Sequence, residues 1–350
     1  MVGNKERGVT AISAGLFVTV ICSILFASCT NLTEYEMAFK AGLHVIAPED
    51  FSVISTISDM PGARSLMMYP GNIFIASTEG LIYRYDSETL ELVEAYQVAL
   101  PSPAGFSQMV YCSLKNTAYL IGSLGNILEV SLPECTVIDE FAVCQSPTKL
   151  ALGPGSEYLF VADGPSKRIH QVSIDNNHAY DNVGIYFNIY CMEPSPNPDS
   201  MLVGTSAGID LIEVISPTDI RGTRLYQGGA FFALASVPDD TIYVGVKKPL
   251  YGAGEVAVSV GIVDVFIPEF ADPPPPEFYE TIEIEGTGHL LAMGKDWQHA
   301  YVLSYLGDNT SRLISYNYRF SETPQELDLP GFPLDLKVSG NGVIYVLTTE

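Results

Sequence analysis

Apolar and polar residues alternate along residues 72–98, NIFIASTEGLIYRYDSETLELVEAYQV. The alternation predicts three short strands, NIFIAS, LIYRYD and LELVEAYQV, because a period of two is typical of half-buried strands. Polar turn residues separate them at 78–80 and 87–88. One such ribbon cannot bury its own apolar face, so the pattern requires further copies to form a stable core.

Copies of this ribbon recur along the whole chain. An apolar segment precedes NIFIAS, SLMMY at 65–69, and we predict that it is a first strand, so that NIFIAS is the second of four. This second strand is the clearest marker, with starts separated by 46, 40, 43, 40, 59 and 43 residues. The seven copies are NIFIAS at 72, AYLIGS at 118, YLFVAD at 158, MLVGTS at 201, TIYVGV at 241, AYVLSY at 300 and VIYVLT at 343. A period in the forties with four strands per repeat is the signature of a β-propeller blade.

The two ends of the chain complement each other. The copy at 343 has only its first two strands, whereas residues 43–58 match a third and a fourth strand. We therefore predict an all-β, seven-bladed β-propeller over residues 43–350, with the last blade built from both termini, which removes unpaired edges. Eight blades remain an alternative if the insertion that contains EFADPPPPEF at 269–278 holds a degenerate blade.

Three segments carry a family likeness: YLFVAD…RIHQVSID at 158–175, IYVLT at 344–348 and FSVISTIS at 51–58. They resemble the YVTN family of seven-bladed propellers, and the likeness extends over roughly residues 43–350, although no repeat has the full consensus. The resemblance implies a propeller fold. It does not select an activity, because propellers include binding proteins, hydrolases, lyases and cofactor oxidoreductases.

The amino terminus has the pattern of an export signal. Lys5 and Arg7 precede an apolar run at 9–27, whose last residues, Phe26 and Ala27, are followed by Ser28 and Cys29. This ending resembles the lipobox of bacterial lipoproteins, which implies removal of residues 1–28 as a signal peptide and acylation of Cys29, including palmitate. The alternative is an uncleaved signal anchor, since the apolar run is long enough to span a bilayer.

The predicted order is then a signal peptide at 1–28, a tether at 29–42 and the propeller at 43–350. Thr30 rather than Asp follows the cysteine. By the same resemblance to lipoproteins, this favours a lipid anchor in the outer membrane or at the cell surface.

The net charge indicates which classes of partner are favoured, and the cysteine content indicates whether disulfides are expected. The net charge of −24 disfavours nucleic acid and anionic lipid headgroups, and it favours basic partners or divalent cations. Four cysteines lie in the predicted propeller, and we expect them to be buried, unpaired thiols. They are Cys112, Cys135, Cys144 and Cys191.

Alignment of the first strands gives one channel-facing position in each repeat. These positions are Ser65, Gln108, Lys149, Asn188, Phe231, Leu290 and Asp335. The loops on one face contain a rare concentration of positive charge. With a histidine that opens a first strand near the channel, the binding-face candidates are Lys167, Arg168, Lys247, Lys248 and His289.

Signals for an enzyme are weak. The five histidines fall on different repeats without the spacing of metal ligands, so we expect no metal site and no cofactor, and we assign no catalytic residue. Acidic pairs at 49–50 and 239–240 lie in predicted turns, where weak calcium binding stays open.

We therefore expect a non-catalytic cell-envelope lipoprotein whose propeller is a scaffold that binds an envelope protein or a glycan. The alternative is a propeller enzyme (a lactonase, a lyase or a cofactor-dependent dehydrogenase) with its site at the channel mouth. A structural module of an outer-membrane assembly complex is a third interpretation, which differs from the first only in its partner.

Overall fold

A computed structural model describes residues 39–98, 105–153, 155–175, 178–195, 199–236, 243–248, 261–267, 277–318 and 322–350. All regular elements in these ranges are β-strands, as the alternation predicted. The strands form seven four-stranded antiparallel sheets. Within the described residues, no helix is long and apolar enough to cross a membrane.

The first two strands are β1 (Lys40–Ala47) and β2 (Ser52–Pro61). Sheet I follows, with β3 (Ala63–Tyr69), β4 (Asn72–Ser77), β5 (Leu81–Asp86) and β6 (Leu92–Gln97). Sheet II contains β7 (Phe106–Cys112), β8 (Thr117–Gly122), β9 (Ile127–Ser131) and β10 (Val137–Phe141). Sheet III contains β11 (Pro147–Leu152), β12 (Tyr158–Asp163), β13 (Arg168–Ser173) and β14 (Tyr180–Gly184).

Sheet IV contains β15 (Ile189–Pro194), β16 (Ser200–Thr205), β17 (Gly208–Ser216) and β18 (Asp219–Gln227). Sheet V contains β19 (Ala230–Ser236), β20 (Tyr243–Lys248), β21 (Gly261–Ile267) and β22 (Glu277–Ile284). Sheet VI contains β23 (Thr287–Met293), β24 (His299–Gly307), β25 (Thr310–Asn317) and β26 (Gln325–Pro330). The last strands are β27 (Pro333–Val338) and β28 (Ile344–Thr349).

Sheet VII joins the two ends of the chain. Its strand order is β2-β1-β28-β27, so the amino-terminal pair completes the carboxy-terminal pair. β1 runs antiparallel to β28, from Ala41 opposite Thr349 to Ile46 opposite Ile344. The strand pairing expected for residues 43–58 is therefore present. β1 itself begins at Lys40, slightly before the predicted boundary, and Cys29 and the rest of 1–38 lie outside the described residues.

The core consists of seven hydrophobic clusters, each between two consecutive sheets. One example is the cluster of Phe74 and Leu120 between sheets I and II, and another is that of Leu66 and Leu347 between sheets VII and I. In sheet VII, β27 occupies the place that the first strand has in the other sheets. The first strand of each sheet contacts the first strand of the next sheet, and β27 in turn contacts β3 of sheet I. Successive sheets packed face to face around their first strands are consistent with a β-propeller.

Candidate functional site

A β-bulge interrupts each first strand close to its start. In sheet I, for example, Ala63 pairs with Ser77 and Ser65 pairs with Ala76, so Arg64 is the extra residue of the bulge. Equivalent shifts leave out Ser107, Thr148, Tyr190, Phe232 and Leu334, and β23 is irregular between Thr287 and Leu290. A bulge directs two successive residues to the same side of a sheet, so each of the six bulged first strands presents a pair of side chains instead of one.

These paired side chains line a central cavity of about 430 Å³. All seven first strands contribute to its wall, with side chains such as Arg64 from β3, Thr148 from β11 and Leu290 from β23. The residues at the bulges lie near the end where the fourth strand of one sheet connects to the first strand of the next. We call this end of the cavity the mouth, defined by Tyr190, Phe232 and Phe332.

The structure brings together five of the seven residues expected to face the channel. Ser65, Gln108, Lys149, Leu290 and Asp335 each follow a bulge directly and line the cavity. The other two were misaligned and do not line it. In β15 and β19 the residues that directly follow the bulge are Cys191 and Ala233.

Asn188 and Phe231 lie elsewhere for a physical reason. Asn188 precedes β15 in the connection from sheet III and is exposed, and its N–H donates to the Ser206 hydroxyl at 3.3 Å. Phe231 comes before the bulge, points away from the cavity and is 0% exposed in the cluster between sheets IV and V. An alignment of sequence repeats cannot detect this shift, because a bulge changes the facing of residues without changing their polarity.

Several polar side chains of the cavity wall are bonded to the backbone of the neighbouring sheet. The Asp335 carboxylate on β27 accepts a hydrogen bond from the N–H of Leu66 on β3 at 2.7 Å. The Ser65 hydroxyl on β3 accepts one from the N–H of Met109 on β7 at 3.1 Å. Both N–H groups follow the bulge in their strand, so the two contacts repeat one geometry in successive sheets.

A similar contact joins sheet II to sheet III, and a different one joins sheet IV to sheet V. The Gln108 amide oxygen accepts from the Leu150 N–H at 2.8 Å, and its amide nitrogen donates to the Leu150 carbonyl at 3.0 Å. The Cys191 thiol donates to the Phe231 carbonyl at 3.9 Å. Because first strands are edge strands, their backbone groups need partners, and these side chains supply them. Gln108, Ser65 and Asp335 therefore connect sheets as well as lining the cavity.

Charged groups of both signs remain in the wall. Lys337 Nζ lies 3.3 Å from Asp335 Oδ1. Glu193 on β15 accepts hydrogen bonds from the N–H and the hydroxyl of Ser236 at 3.4 and 3.5 Å. Burial raises the pKa of Glu193 to about 7, against the opposing effects of Ser236 and of the Lys337 charge. Lys149 also lies in this wall, so the cavity combines carboxylates with ammonium groups.

Aromatic rings surround the mouth. The Tyr190 and Phe232 rings, from neighbouring sheets, have centroids 4.7 Å apart. Phe332 precedes β27 and packs against Tyr305 of sheet VI with centroids 5.0 Å apart, and Phe332 is 43% exposed. Large, rigid and partly exposed rings at the opening of a cavity are typical of a binding surface.

A second aromatic element lies on the connection between β14 and β15. Tyr186 is 81% exposed, and the Phe187 ring beside it has the Arg224 guanidinium 4.6 Å from its centroid. The Arg224 guanidinium forms a two-point ion pair with the buried Asp210, and Arg224 Nη2 donates to Asp210 Oδ2 at 2.9 Å. The guanidinium thus holds the Phe187 ring in place at the surface.

The predicted positive patch is divided between two sheets. Lys167 and Arg168 are exposed at the hairpin between β12 and β13. Lys247 lies at the end of β20, where it donates to the Tyr226 hydroxyl at 2.8 Å. Sheet IV separates these two hairpins, so the structure does not join the residues into one patch. The side chains of Lys248 and His289 lie outside the described residues.

The four cysteines of the described sheets are free thiols, as expected. Two of them, Cys112 and Cys135, are fully buried, whereas Cys144 and Cys191 are only half-buried. Burial raises the pKa of Cys144 to about 11 and that of Cys191 to about 12. These thiols are therefore protonated near neutral pH.

Residues 204–208, Gly-Thr-Ser-Ala-Gly, match the Gly-x-Ser-x-Gly pattern of hydrolase nucleophile elbows. That elbow requires a strand followed by a helix, whereas this segment forms the hairpin turn between β16 and β17. Gly208 has a φ of 146°, and a Cβ there would lie 1.9 Å from the Tyr226 carbonyl oxygen. The glycine is thus explained by the close approach of β18.

Comparison with known proteins gives a fold and no family. No protein-family model and no curated protein matches the chain. Among solved structures, it resembles hydrazine synthase of Kuenenia stuttgartiensis, with 14% identity, a TM-score of 0.63 and coverage of 83% of this chain and 95% of that one.

Two further similar structures show the same range of likeness. The dihydro-heme d1 dehydrogenase NirN has 12% identity and a TM-score of 0.61, over 89% of this chain and 68% of that one. A functionally unknown protein from Desulfotomaculum acetoxidans has 10% identity and a TM-score of 0.64, over 80% of this chain and 92% of that one. At such identities the likeness shows the fold alone.

Proposed function

We propose that the protein is a non-catalytic lipoprotein of the cell envelope, and that its seven sheets are the blades of one closed, YVTN-type propeller. The mouth of the central cavity is the binding surface, and its partner is an envelope protein or a glycan. The observation that carries this proposal is the aromatic lining of the mouth, where Tyr190, Phe232 and Phe332 are contributed by different sheets.

The hydrogen bonds of the cavity wall support a binding role over a chemical one. Asp335, Ser65 and Gln108 are engaged with the backbone of neighbouring sheets, which makes them supports of the ring more than groups that can move protons. A rigid wall with aromatic rings at its opening binds a partner with little loss of conformational entropy. Anchoring through Cys29 rests on the export signal and the lipobox resemblance alone.

A matched pair of aromatic variants tests the proposal. Phe332 at the mouth and Trp297 at the opposite end of the sheets are 43% and 41% exposed. The full-length chain is expressed in its native host, crosslinked in intact envelopes and purified, in parallel with Phe332→Ala and Trp297→Ala. We expect Phe332→Ala to reduce the crosslinked partner several-fold and Trp297→Ala to leave it unchanged.

Further arms of the same experiment separate anchoring from binding. Cys29→Ala should move the protein out of the membrane fraction and abolish acyl labelling, yet leave binding of the partner intact. Glycan arrays probed with the purified chain distinguish a glycan from a protein partner. Equal capture by wild type and Phe332→Ala would contradict the mouth as the binding surface.

Catalysis in the cavity is the second candidate, of the lactonase, lyase or cofactor-dependent dehydrogenase kind. Glu193 favours it, because a carboxyl group with a pKa of about 7 is suited to proton transfer near neutral pH. Two of the similar structures are named as a hydrazine synthase and a dehydrogenase. Turnover of a small molecule that is lost in Glu193→Gln would favour this candidate.

A further inference from the structure

Three side chains with metal-binding atoms meet at the seam between sheets II and III. Cys144 lies in the connection from β10 to β11, Asp163 ends β12, and His170 lies within β13. The thiol sulfur, a carboxylate oxygen and an imidazole nitrogen all lie within 4.8 Å of one another. The three residues belong to three successive segments of the chain, and cross-strand pairing brings Asp163 and His170 to the same face of sheet III.

His170 is the observation that points to a ligand. Its side chain is 7% exposed, and neither ring nitrogen has a hydrogen-bond partner among the described residues. A buried imidazole with no partner costs free energy, because it gives up water and gains nothing in return. Asp163 is similarly buried, at 6% exposure, and the N–H of Ser166 approaches its Oδ1 only to 3.5 Å.

The donor set selects the kind of ligand. A thiolate, an imidazole and a carboxylate are the three protein ligands of zinc, with bonds of about 2.0–2.3 Å, which places neighbouring donors about 3.5 Å apart in a tetrahedron. The three donor atoms lie within 4.8 Å of one another and therefore need to approach by at most about 1.3 Å to reach that geometry. Calcium and magnesium take oxygen ligands and are excluded by the sulfur and the nitrogen.

We propose that Cys144, Asp163 and His170 bind one divalent transition-metal ion, with zinc as the best match. The ion displaces the thiol proton to solvent, so that the charges of the thiolate and the carboxylate balance those of the ion. It connects the segment between sheets II and III to the centre of sheet III. Solvent occupies the fourth position, and the site is independent of the binding function proposed for the mouth.

The test uses cobalt as a visible substitute for zinc. The full-length chain is purified in detergent, reduced with a non-chelating phosphine, stripped with a chelator and titrated with Co²⁺. We expect one equivalent to bind with a thiolate-to-cobalt charge-transfer band, and we expect Zn²⁺, but not Ca²⁺ or Mg²⁺, to displace it. Binding should also raise the melting temperature of the wild type.

Ligand variants and matched controls locate the ion. Cys144→Ser and His170→Gln should weaken Co²⁺ binding by at least the roughly 10-fold that loss of even an outer-shell partner costs. Cys112→Ser is the control for the cysteine, since Cys112 is a buried free thiol in the same hydrophobic cluster. His44→Gln is the control for the histidine, because His44 is equally buried and both its ring nitrogens have partners.

The wild-type titration is decisive even if a ligand variant does not fold. A wild-type protein without a charge-transfer band overturns the proposal, and so does displacement of Co²⁺ by Ca²⁺. A band that persists in both Cys144→Ser and His170→Gln, with their folding verified by melting curves, would place the ion elsewhere and overturn it as well.

Discussion

Two buried histidines show how neighbours decide the role of a residue. His44 on β1 and His170 on β13 are 5% and 7% exposed, and both lie on inner strands of four-stranded sheets. His44 has a threonine hydroxyl at each ring nitrogen, Thr56 at 3.2 Å and Thr348 at 3.1 Å. His170 lies opposite Val161 and has no partner for either nitrogen among the described residues.

The difference separates a structural group from one that is available to a ligand. In sheet VII the cross-strand threonines use the full hydrogen-bonding capacity of His44, which helps to join the strands of the two termini. In sheet III the positions that correspond to Thr56 and Thr348 carry Asn182 and Asp163, and neither bonds a ring nitrogen of His170, so the imidazole keeps its capacity unused. Buried polar groups are nearly always bonded, and an exception therefore calls for an explanation such as an ion.

The largest expected effect comes from replacing each histidine by leucine in metal-free protein. His44→Leu leaves the buried Thr348 hydroxyl without its partner and should lower the free energy of unfolding by about 2 kcal/mol. His170→Leu removes an imidazole that bonds nothing and should change it by less than about 1 kcal/mol. Urea unfolding followed by tryptophan or tyrosine fluorescence measures both.

The measurement is made in chelator, because a bound ion would add its own stabilisation to wild type. Equal destabilisation by the two variants would show that His170 has a structural partner after all, and the contrast between the two histidines would be lost.

The sheets were predictable because each repeat encodes its own strands. Alternation located the strands of residues 72–98, and the incomplete copies at both ends predicted the pairing of β1 with β28. Both features depend on the polarity of neighbouring residues and on the spacing of the repeats, and a single sequence shows both. The number of four-stranded sheets also agrees with the number of repeats, whereas the lipid anchor proposed at Cys29 depends on a terminal motif that the described strands do not include.

The site was less predictable because its geometry arises between repeats. Bulges direct Tyr190 and Phe232 toward the cavity. In the sequence, the sole sign of such a bulge is a break in the alternation of apolar and polar residues, as in the pair Phe231-Phe232. Metal-ligand spacing could not reveal Cys144, Asp163 and His170, because register and the packing of sheet II on sheet III bring them together.

An intermediate effect is expected from pH. Burial lowers the pKa of His44, and the charge of Glu350 opposes this only partly. The unfolded chain therefore binds the proton more readily, so stability is complete above about pH 6.5 and falls as the pH drops through the lowered pKa, by at most about 1.4 kcal/mol per pH unit.

The His44→Gln variant should lose less stability than the wild type when the pH is lowered, because it lacks this titrating group. The quantity to compare is the difference in unfolding free energy between pH 7.5 and pH 5.5, in wild type and variant, because contributions of all other groups cancel. An identical loss in both proteins would assign the acid sensitivity to other residues.

The smallest expected effect comes from giving His170 a cross-strand hydroxyl, which His44 already has. Val161 lies directly opposite His170 on the inner strand β12, whereas the threonine directly opposite His44, Thr56, lies on the outer strand β2. Val161→Thr places a hydroxyl within reach of the imidazole, since directly opposed side chains have Cβ atoms about 4.5–5.5 Å apart. The new hydrogen bond should offset the cost of burying the hydroxyl, with a net change below about 1 kcal/mol.

Val172→Thr is the matched control, because Val172 is equally buried on the same face of sheet III but lies opposite Tyr180 and Leu159. Its hydroxyl finds no imidazole opposite and should cost about 1–3 kcal/mol. Equal costs for the two threonines would mean that the hydroxyl at 161 does not reach His170. If Val161→Thr is tolerated and also weakens Co²⁺ binding, one cross-strand residue decides whether this histidine supports the sheet or receives an ion.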